Sequence, residues 1–181
     1  AVLSFITKLS SGYWDIFDPT NGFTAISVPV LKRLPLHKLS PRYFFESDML
    51  FRLNTIRAVL VDIPMDAVYA VETSSLHMLE NIRPFLCGNL RNLGKRILYN
   101  YYLRNFSLAS LQLLIGLPLL LFGLLHGIYH WRMSAVTDEP ATAGTVMVSA
   151  LASIMGVQRL LSFLNYDINT IGPGPLRRSL R

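Results

Sequence analysis

The sequence predicts a partial α/β domain, followed by amphipathic interfacial helices and a two-helix transmembrane hairpin. Three observations predict this order. Short apolar stretches flank a helical pattern within residues 23–63, a basic amphipathic pattern covers residues 76–106, and two long uncharged stretches follow. Hydrophobic residues make up 51% of the 181 residues and charged residues only 15%, whereas about a quarter of a soluble domain is charged. The composition therefore indicates a soluble part joined to a membrane part.

Residues 1–75 carry the α/β prediction. A helix is expected over residues 2–11, a strand over Phe23–Val28, a helix over Arg42–Ile56, and a strand over Ala58–Ile63. The core side of the second helix is predicted to contain Phe45, Met49, Leu53 and Ile56. A strand, a helix and a strand at this spacing are typical of an α/β domain. Two strands are too few for an independent core of this class, so further strands are expected before the first residue.

The beginning of the chain supports the same expectation. There is no initiator methionine and no cleavable signal, and the first residues read as the inside of a helix. We therefore interpret the chain as the C-terminal part of a longer protein.

Residues 76–106 form a basic amphipathic segment. Leu90, Leu93, Ile97 and Tyr101 recur at helical spacing, and Arg91, Asn92, Lys95 and Arg96 fall on the opposite side. This pattern suits a helix lying in the headgroup region of a membrane, although a helix packed on the soluble domain has the same pattern. Pro84 and Gly94 predict two short helices rather than one.

Residues 107–165 are predicted to form the transmembrane hairpin, with helices at about 107–131 and 141–163. No Asp, Glu, Lys or Arg occurs at positions 105–131 or 140–158, and about 20 apolar residues suffice to cross a bilayer. Two pairs of small residues four apart, Ser149 with Ser153 and Ala152 with Gly156, predict close packing on a neighbouring helix. That neighbour is the first helix or another subunit, which allows a homo-oligomer.

Charge sets the predicted orientation. Basic residues precede the hairpin and recur in the tail, residues 166–181, whereas the linker carries Asp138 and Glu139. The positive-inside rule then places both ends of the hairpin in the cytoplasm. The net charge of +6 follows no nucleic-acid-binding motif, so a nucleic-acid partner is not expected. The single cysteine, Cys87, agrees with a reducing compartment.

Three motifs carry a resemblance to a known family. They are Asp18-Pro-Thr-Asn-Gly22 within residues 10–26, Phe45-Glu-Ser-Asp48 within residues 43–50, and residues 97–104 ahead of the hairpin. Together they closely resemble the family 2 glycosyltransferases that charge polyprenyl phosphates. This group includes dolichyl-phosphate mannose synthase-like and undecaprenyl-phosphate sugar transferases. The resemblance spans nearly the whole chain.

The resemblance implies a GT-A fold that moves a sugar from a nucleotide sugar to a lipid phosphate. The acceptor would be an undecaprenyl or dolichyl phosphate at the cytoplasmic face, in the inner membrane of a bacterium. A divalent cation, Mg²⁺ or Mn²⁺, is expected in the full-length enzyme. The metal-binding Asp-x-Asp motif would lie upstream, because this chain contains none. The fragment alone is therefore expected to be inactive.

The resemblance also implies site residues. Asp48, assisted by Glu46, matches the acidic position on the acceptor side. A phosphate monoester is largely ionised at pH 7, so Asp48 is expected to orient the acceptor or the metal shell rather than to act as a base. The alternative is a helix-surface ion pair between Asp48 and Arg52. Asp18 and Asn21 are expected to bind substrate, although Asp and Asn in such a turn also satisfy their own backbone.

The chain departs from the family after Pro64. Relatives carry basic residues there, whereas residues 67–76 contain no Lys or Arg. Hydrogen bonds to phosphate are then expected from Tyr69, Ser74 and Ser75. Contacts to a lipid phosphate or to the membrane are expected from the basic residues Arg91, Lys95, Arg96 and Arg159, although snorkelling to the interface is the simpler role for Arg159.

Two other functions compete with this enzyme. The departure after Pro64 favours a non-catalytic membrane-anchoring or assembly module derived from the same family. A small transporter or flippase subunit is the third possibility, and two spans without a buried acidic or basic pair at mid-depth give it little support.

Overall fold

The computed structural model describes residues 2–41, 44–63 and 78–170, with the backbone alone at 78–81. Two compact units are present: one contains the described residues up to Leu103, and the other is Arg104–Thr170. Every regular element in these ranges is a helix. The predicted α/β class, and with it the GT-A domain, is therefore wrong for the part of the chain that the structure describes.

The two predicted strands fail because nothing pairs with them. Residues 23–27 and 58–63 lack regular structure, since a strand needs a neighbour for its N–H and C=O groups and the described residues provide none. Val28–Leu31 instead forms one helical turn, α2. Its Pro29 lies in the first turn, where the missing N–H costs nothing. A short 3₁₀ turn follows at Leu36–Lys38.

Helix α1, Val2–Ser11, confirms the first predicted helix. It ends at Gly12, whose φ of +80° suits glycine and whose N–H donates to the Lys8 carbonyl at 2.7 Å. Helix α3, Phe45–Thr55, falls within the predicted range 42–56. Residues 42 and 43 lie outside the described ranges.

The apolar core of the first unit gathers around α3. Met49 and Leu53 are buried as predicted, whereas Phe45 is 38% exposed. The remaining members of the buried cluster are Tyr13, Leu34 and Leu50. The Tyr13 hydroxyl donates to the Ala58 carbonyl at 2.6 Å. Burial raises the pKa of Tyr13 above its ordinary value, so this hydroxyl stays protonated.

Helix α4, Met78–Ile97, packs on α1 and α3. The expected break into two helices is wrong, because Pro84 lies inside one continuous α-helix and Gly94 does not interrupt it. Pro84 falls in the second turn, so the kinking effect of a proline acts near the end of the helix rather than in its middle. A π-helical segment, Leu98–Arg104, follows directly.

The second unit is a helical hairpin. Helix α5 runs from Leu108 to Thr137 and α6 from Ala143 to Asn169, so both are longer than predicted and the connection is shorter. Both are long and apolar enough to cross a membrane, and only 22% and 17% of their apolar windows are buried. Ser107 precedes α5 as its N-cap, with its N–H donating to the Ser110 hydroxyl at 3.0 Å. Thr142 caps α6 through its hydroxyl, which accepts from the Thr145 N–H.

Small residues bring α5 and α6 together. A Cβ atom placed on Gly156 would lie 2.5 Å from the Leu120 nitrogen, and one on Gly123 would lie 2.6 Å from the Ser153 nitrogen. Gly156 and Ala152 are both buried against α5. The predicted close packing is confirmed, with the first helix of the hairpin as the neighbour. Across this seam, the His126 ring nitrogen Nδ1 lies 2.8 Å from the Ser149 hydroxyl.

Candidate functional site

The Asp18–Gly22 motif forms a structured turn on the surface of the first unit. One Asp18 carboxylate oxygen accepts from the Thr20 N–H at 3.0 Å and from the Thr20 hydroxyl at 2.7 Å. The Asn21 side-chain oxygen accepts from the Phe23 N–H at 3.0 Å. These are the self-satisfying contacts expected of Asp and Asn in a turn. Both side chains are exposed, so the turn is accessible to a ligand.

Glu46 lies beside this turn. A Cβ atom placed on Gly22 would be 3.9 Å from Glu46 Oε1, although 24 positions separate these residues in the chain. Glu46 is half-buried in the first turn of α3, where the helix dipole favours a negative charge. Among the described residues, no hydrogen bond or ion pair engages its carboxylate. Two of the three motifs that carry the resemblance therefore meet at an available carboxylate.

The segment after α3 joins this surface. The Phe17 N–H donates to a carboxylate oxygen of Asp62 at 2.6 Å, which brings residues 58–63 alongside the turn. Phe17 and Phe23 flank the turn and are 89% and 84% exposed. The candidate site thus combines a polar turn and a carboxylate with two accessible aromatic rings.

Asp48 has a different environment from Glu46. It is 1% exposed, and both of its oxygens accept hydrogen bonds inside the unit. Oδ2 accepts from the Ser40 N–H at 3.0 Å and from Arg52 Nε at 2.9 Å. Oδ1 accepts from Asn92 Nδ2 at 3.0 Å. The ion pair with Arg52 is present, with Asp48 buried and the Arg52 side chain 15% exposed, and the burial of Asp48 favours a structural role for it.

A buried polar seam joins α1, α3 and α4. Arg96 is 3% exposed, and its Nη2 donates to the Leu9 carbonyl at 2.8 Å. The Ser10 hydroxyl donates to the side-chain oxygen of Asn89. The Arg96 guanidinium therefore secures the end of α1, and its membrane contact stays a prediction. Arg91 and Lys95 are exposed, and their membrane contact stays a prediction.

The remaining predicted residues fall in two groups. Arg159 is exposed on α6, with its Cβ packed towards Gly116 of α5. Tyr69, Ser74 and Ser75 lie outside the described residues. The sequence interpretation missed Asn89, which is 1% exposed in the buried polar seam of α1, α3 and α4. Its spacing of three from Asn92 and seven from Arg96 is the signal that would have placed it on their face of α4.

The residues the structure describes do not supply a metal centre. They contain no group of three or more His, Cys, Asp or Glu side chains placed to hold an ion. The candidate site offers one available carboxylate, and a cation of the Mg²⁺ type prefers several oxygen ligands. No chemical step on these residues is therefore assigned to a metal.

Comparison with known proteins returns no relative: no family model, curated protein or solved structure matches this chain.

Proposed function

We propose that this chain is the acceptor-side, membrane-embedded part of a glycosyltransferase that transfers a sugar from a nucleotide sugar to a polyprenyl phosphate. The observation that carries the proposal is the meeting of the Asp18–Gly22 turn with the Glu46 carboxylate. These two segments also carry the sequence resemblance to the polyprenyl-phosphate glycosyltransferases. In this proposal the donor-binding part lies outside these 181 residues.

The reaction suits a site without a strong base. An oxygen of the acceptor phosphate attacks the anomeric carbon of the sugar, and the bond from that carbon to the nucleotide phosphate breaks. The nucleoside diphosphate leaves with the bonding electrons. The acceptor phosphate is mostly ionised at pH 7, since its second pKa is about 6. Glu46 and the turn then have to position the reactants, and positioning is a large part of catalysis.

The hairpin suits a lipid acceptor. A polyprenyl phosphate keeps its phosphate at the bilayer surface, so an enzyme that acts on it has to remain there. In this proposal α5 and α6 span the inner membrane of a bacterium, with both ends of the hairpin in the cytoplasm. The excess of basic residues before α5 over those in the connection supports this orientation.

The test is transfer of radiolabelled sugar to added polyprenyl phosphate by the complete gene product that contains these residues. A panel of uridine and guanosine diphosphate sugars is offered, with polyprenol lacking phosphate as the acceptor control. We expect Glu46→Gln to lower transfer about 100-fold, the loss that follows from misplacing a reactant. Glu139→Gln, a matched change in the exposed connection of the hairpin, should leave transfer unchanged. Absence of labelled lipid with every donor would refute the proposal.

A non-catalytic anchoring or assembly module is the second candidate, and one observation favours it. Asp48, the residue expected at the catalytic position, is engaged inside the unit rather than facing a cleft. The same assay separates the two functions. Transfer that requires Glu46 supports the enzyme, whereas binding of polyprenyl phosphate without transfer supports the module.

A further inference from the structure

Helix α4 has its polar face turned inwards. At about 100° per residue, Asn89, Asn92 and Arg96 fall on one side of the helix, and all three are buried against the rest of the unit. A soluble helix normally buries its apolar stripe and exposes its charges. In α4 the buried side is polar, so the question is what environment the exposed opposite side meets.

We name that opposite side the outer arc of α4. Five of its residues lie on α4 within about 140° around the helix axis, and the first residue of the π-helical segment continues the same side. All six are exposed: Arg83, Cys87, Leu90, Arg91, Lys95 and Leu98. Leu90 is 63% exposed and Leu98 is 55% exposed. A Cβ atom placed on Gly94, within the arc, would meet nothing within 4 Å. The arc is thus an open surface that mixes apolar and cationic side chains.

The chemistry of the arc fits one environment, the surface of an anionic bilayer. Apolar side chains of an interfacial helix enter the acyl boundary while Lys and Arg remain among the headgroups. The charge is one-sided, because the sequence has no Asp or Glu from residue 81 to residue 137. A negative membrane surface repels every carboxylate near it, so acidic residues are disfavoured beside it. A protein partner with an apolar groove would not require so long a stretch without acidic residues.

Chain connectivity supports the same environment. The arc ends at Leu98, and only residues 99–107 separate it from the first residue of α5. Leu103 within that connection is 71% exposed. A candidate membrane span begins directly afterwards, so the bilayer is the surface that the outer arc meets first.

We propose that the outer arc of α4 docks on the anionic headgroup surface of the membrane, with Leu90 and Leu98 inserted and Arg83, Arg91 and Lys95 at the phosphates. The arc includes only part of the apolar side predicted from the sequence, since Leu93 and Ile97 are partly covered. This docking holds the first unit against the bilayer whether or not the chain transfers sugar.

Cys87 provides the test, because it is the only cysteine in the chain and lies at the centre of the arc. A nitroxide on Cys87 is measured in the full chain, reconstituted in phosphatidylcholine vesicles with or without phosphatidylglycerol. Its collision rates with oxygen and with a water-soluble nickel chelate report its depth. With the anionic lipid we expect high oxygen and low nickel accessibility. In phosphatidylcholine alone, or in 1 M salt, nickel accessibility should rise.

Charge-neutral variants test the contacts directly. Each cation near an anionic surface contributes about a fivefold preference for the docked state. Arg91→Gln with Lys95→Gln should therefore lower the ratio of immersed to water-exposed label about 30-fold. Lys32→Gln with Arg33→Gln is the matched control, since it removes the same two charges from exposed positions outside α4. It should leave the ratio unchanged.

Two results of the measurements above would overturn the inference. One is a label equally accessible to nickel in both lipid compositions, and the other is an equal loss of immersion in the control pair. Replacing Leu90 and Leu98 by serine separates insertion from adsorption, and an unchanged oxygen accessibility in that variant would also contradict the inference. No donor or acceptor is added, so the outcome is independent of the proposed transferase activity.

Discussion

Replacing Asp48 by asparagine should destabilise the first unit. The substitution keeps the shape of the side chain, but all three groups that contact it are donors: the Ser40 N–H, Arg52 Nε and Asn92 Nδ2. An asparagine there must place its own NH₂ group against one of them, and Arg52 loses its counter-charge. Breaking a buried ion pair from one side costs about 3 kcal/mol or more. We expect a loss of about 3 kcal/mol in the free energy of unfolding.

Trp14 allows this loss to be measured. It is half-buried in the first unit and packs edge-on against Phe5 at 5.8 Å. Replacing Trp131 by phenylalanine leaves Trp14 as the only tryptophan, so its fluorescence during urea unfolding reports on this unit alone. A loss of about 3 kcal/mol should lower the midpoint by about 2 M urea for a unit of this size.

Glu46→Gln provides the matched control, since Glu46 lies on the same helix and its carboxylate is not engaged. Its midpoint should change by no more than the equivalent of about 0.5 kcal/mol. Should Asp48→Asn unfold at the same urea concentration as the parent, the structural role argued for Asp48 is wrong. Loss of transfer in that stable variant would then assign Asp48 to the site.

Two further predictions concern the core and the hairpin. Tyr13→Phe should cost about 1 kcal/mol through its lost hydrogen bond. Burial raises the pKa of Tyr13, so its contribution to the free energy of unfolding is complete below pH about 10 and is lost as the pH rises further. The free energy of unfolding of the variant, measured in urea, should therefore decline less above pH about 10 than that of the parent. Parallel pH profiles for the two proteins would contradict this. Gly156→Ala should weaken the hairpin by about 2 kcal/mol, since its Cβ would lie 2.5 Å from the Leu120 nitrogen. Steric trapping in bicelles measures this loss. Gly144→Ala is the control, because a Cβ atom on Gly144 would have only the Thr142 hydroxyl within 4 Å, at 3.9 Å. Equal losses of hairpin stability in both variants would rule out the packing argument.

The elements that depend on local chemistry were predictable from the sequence. Gly12 ends α1 where a residue with positive φ was needed, and the uncharged stretches indicated both helices of the hairpin. The small residues Ala152 and Gly156 indicated the seam between them, because close approach of two helices requires small side chains.

The elements that depend on long-range pairing were not predictable. Residues 58–63 have the composition of a strand, but the composition does not show whether a second strand lies beside them. For α4, the residue pattern left open whether the helix lies at a membrane or packs on the soluble domain. It does not show that Asp48 and the Leu9 carbonyl draw the polar side of α4 inwards, because these contacts join distant parts of the chain.

The candidate site was predicted in part. The turn chemistry of Asp18 and Asn21 follows from their residue types alone. The proximity of Gly22 to Glu46 depends on how the chain folds back over α3, which no local pattern encodes. The separate fates of Glu46 and Asp48, two carboxylates in the first turn of one helix, follow from helix geometry. Positions two apart point about 160° away from each other.

In the proposed membrane-spanning arrangement, the length of α5 has a consequence for the bilayers that suit this chain. Its part without Asp, Glu, Lys or Arg, residues 108–131, extends about 36 Å, whereas the hydrocarbon layer of a bilayer is about 30 Å thick. A helix whose apolar part is longer than the hydrocarbon layer relieves this mismatch by tilting or by extending its last turns into the headgroups. The tight seam between α5 and α6 makes the pair tilt as one body. The hairpin should therefore adapt to bilayers of different thickness by changing its angle, without separating its helices.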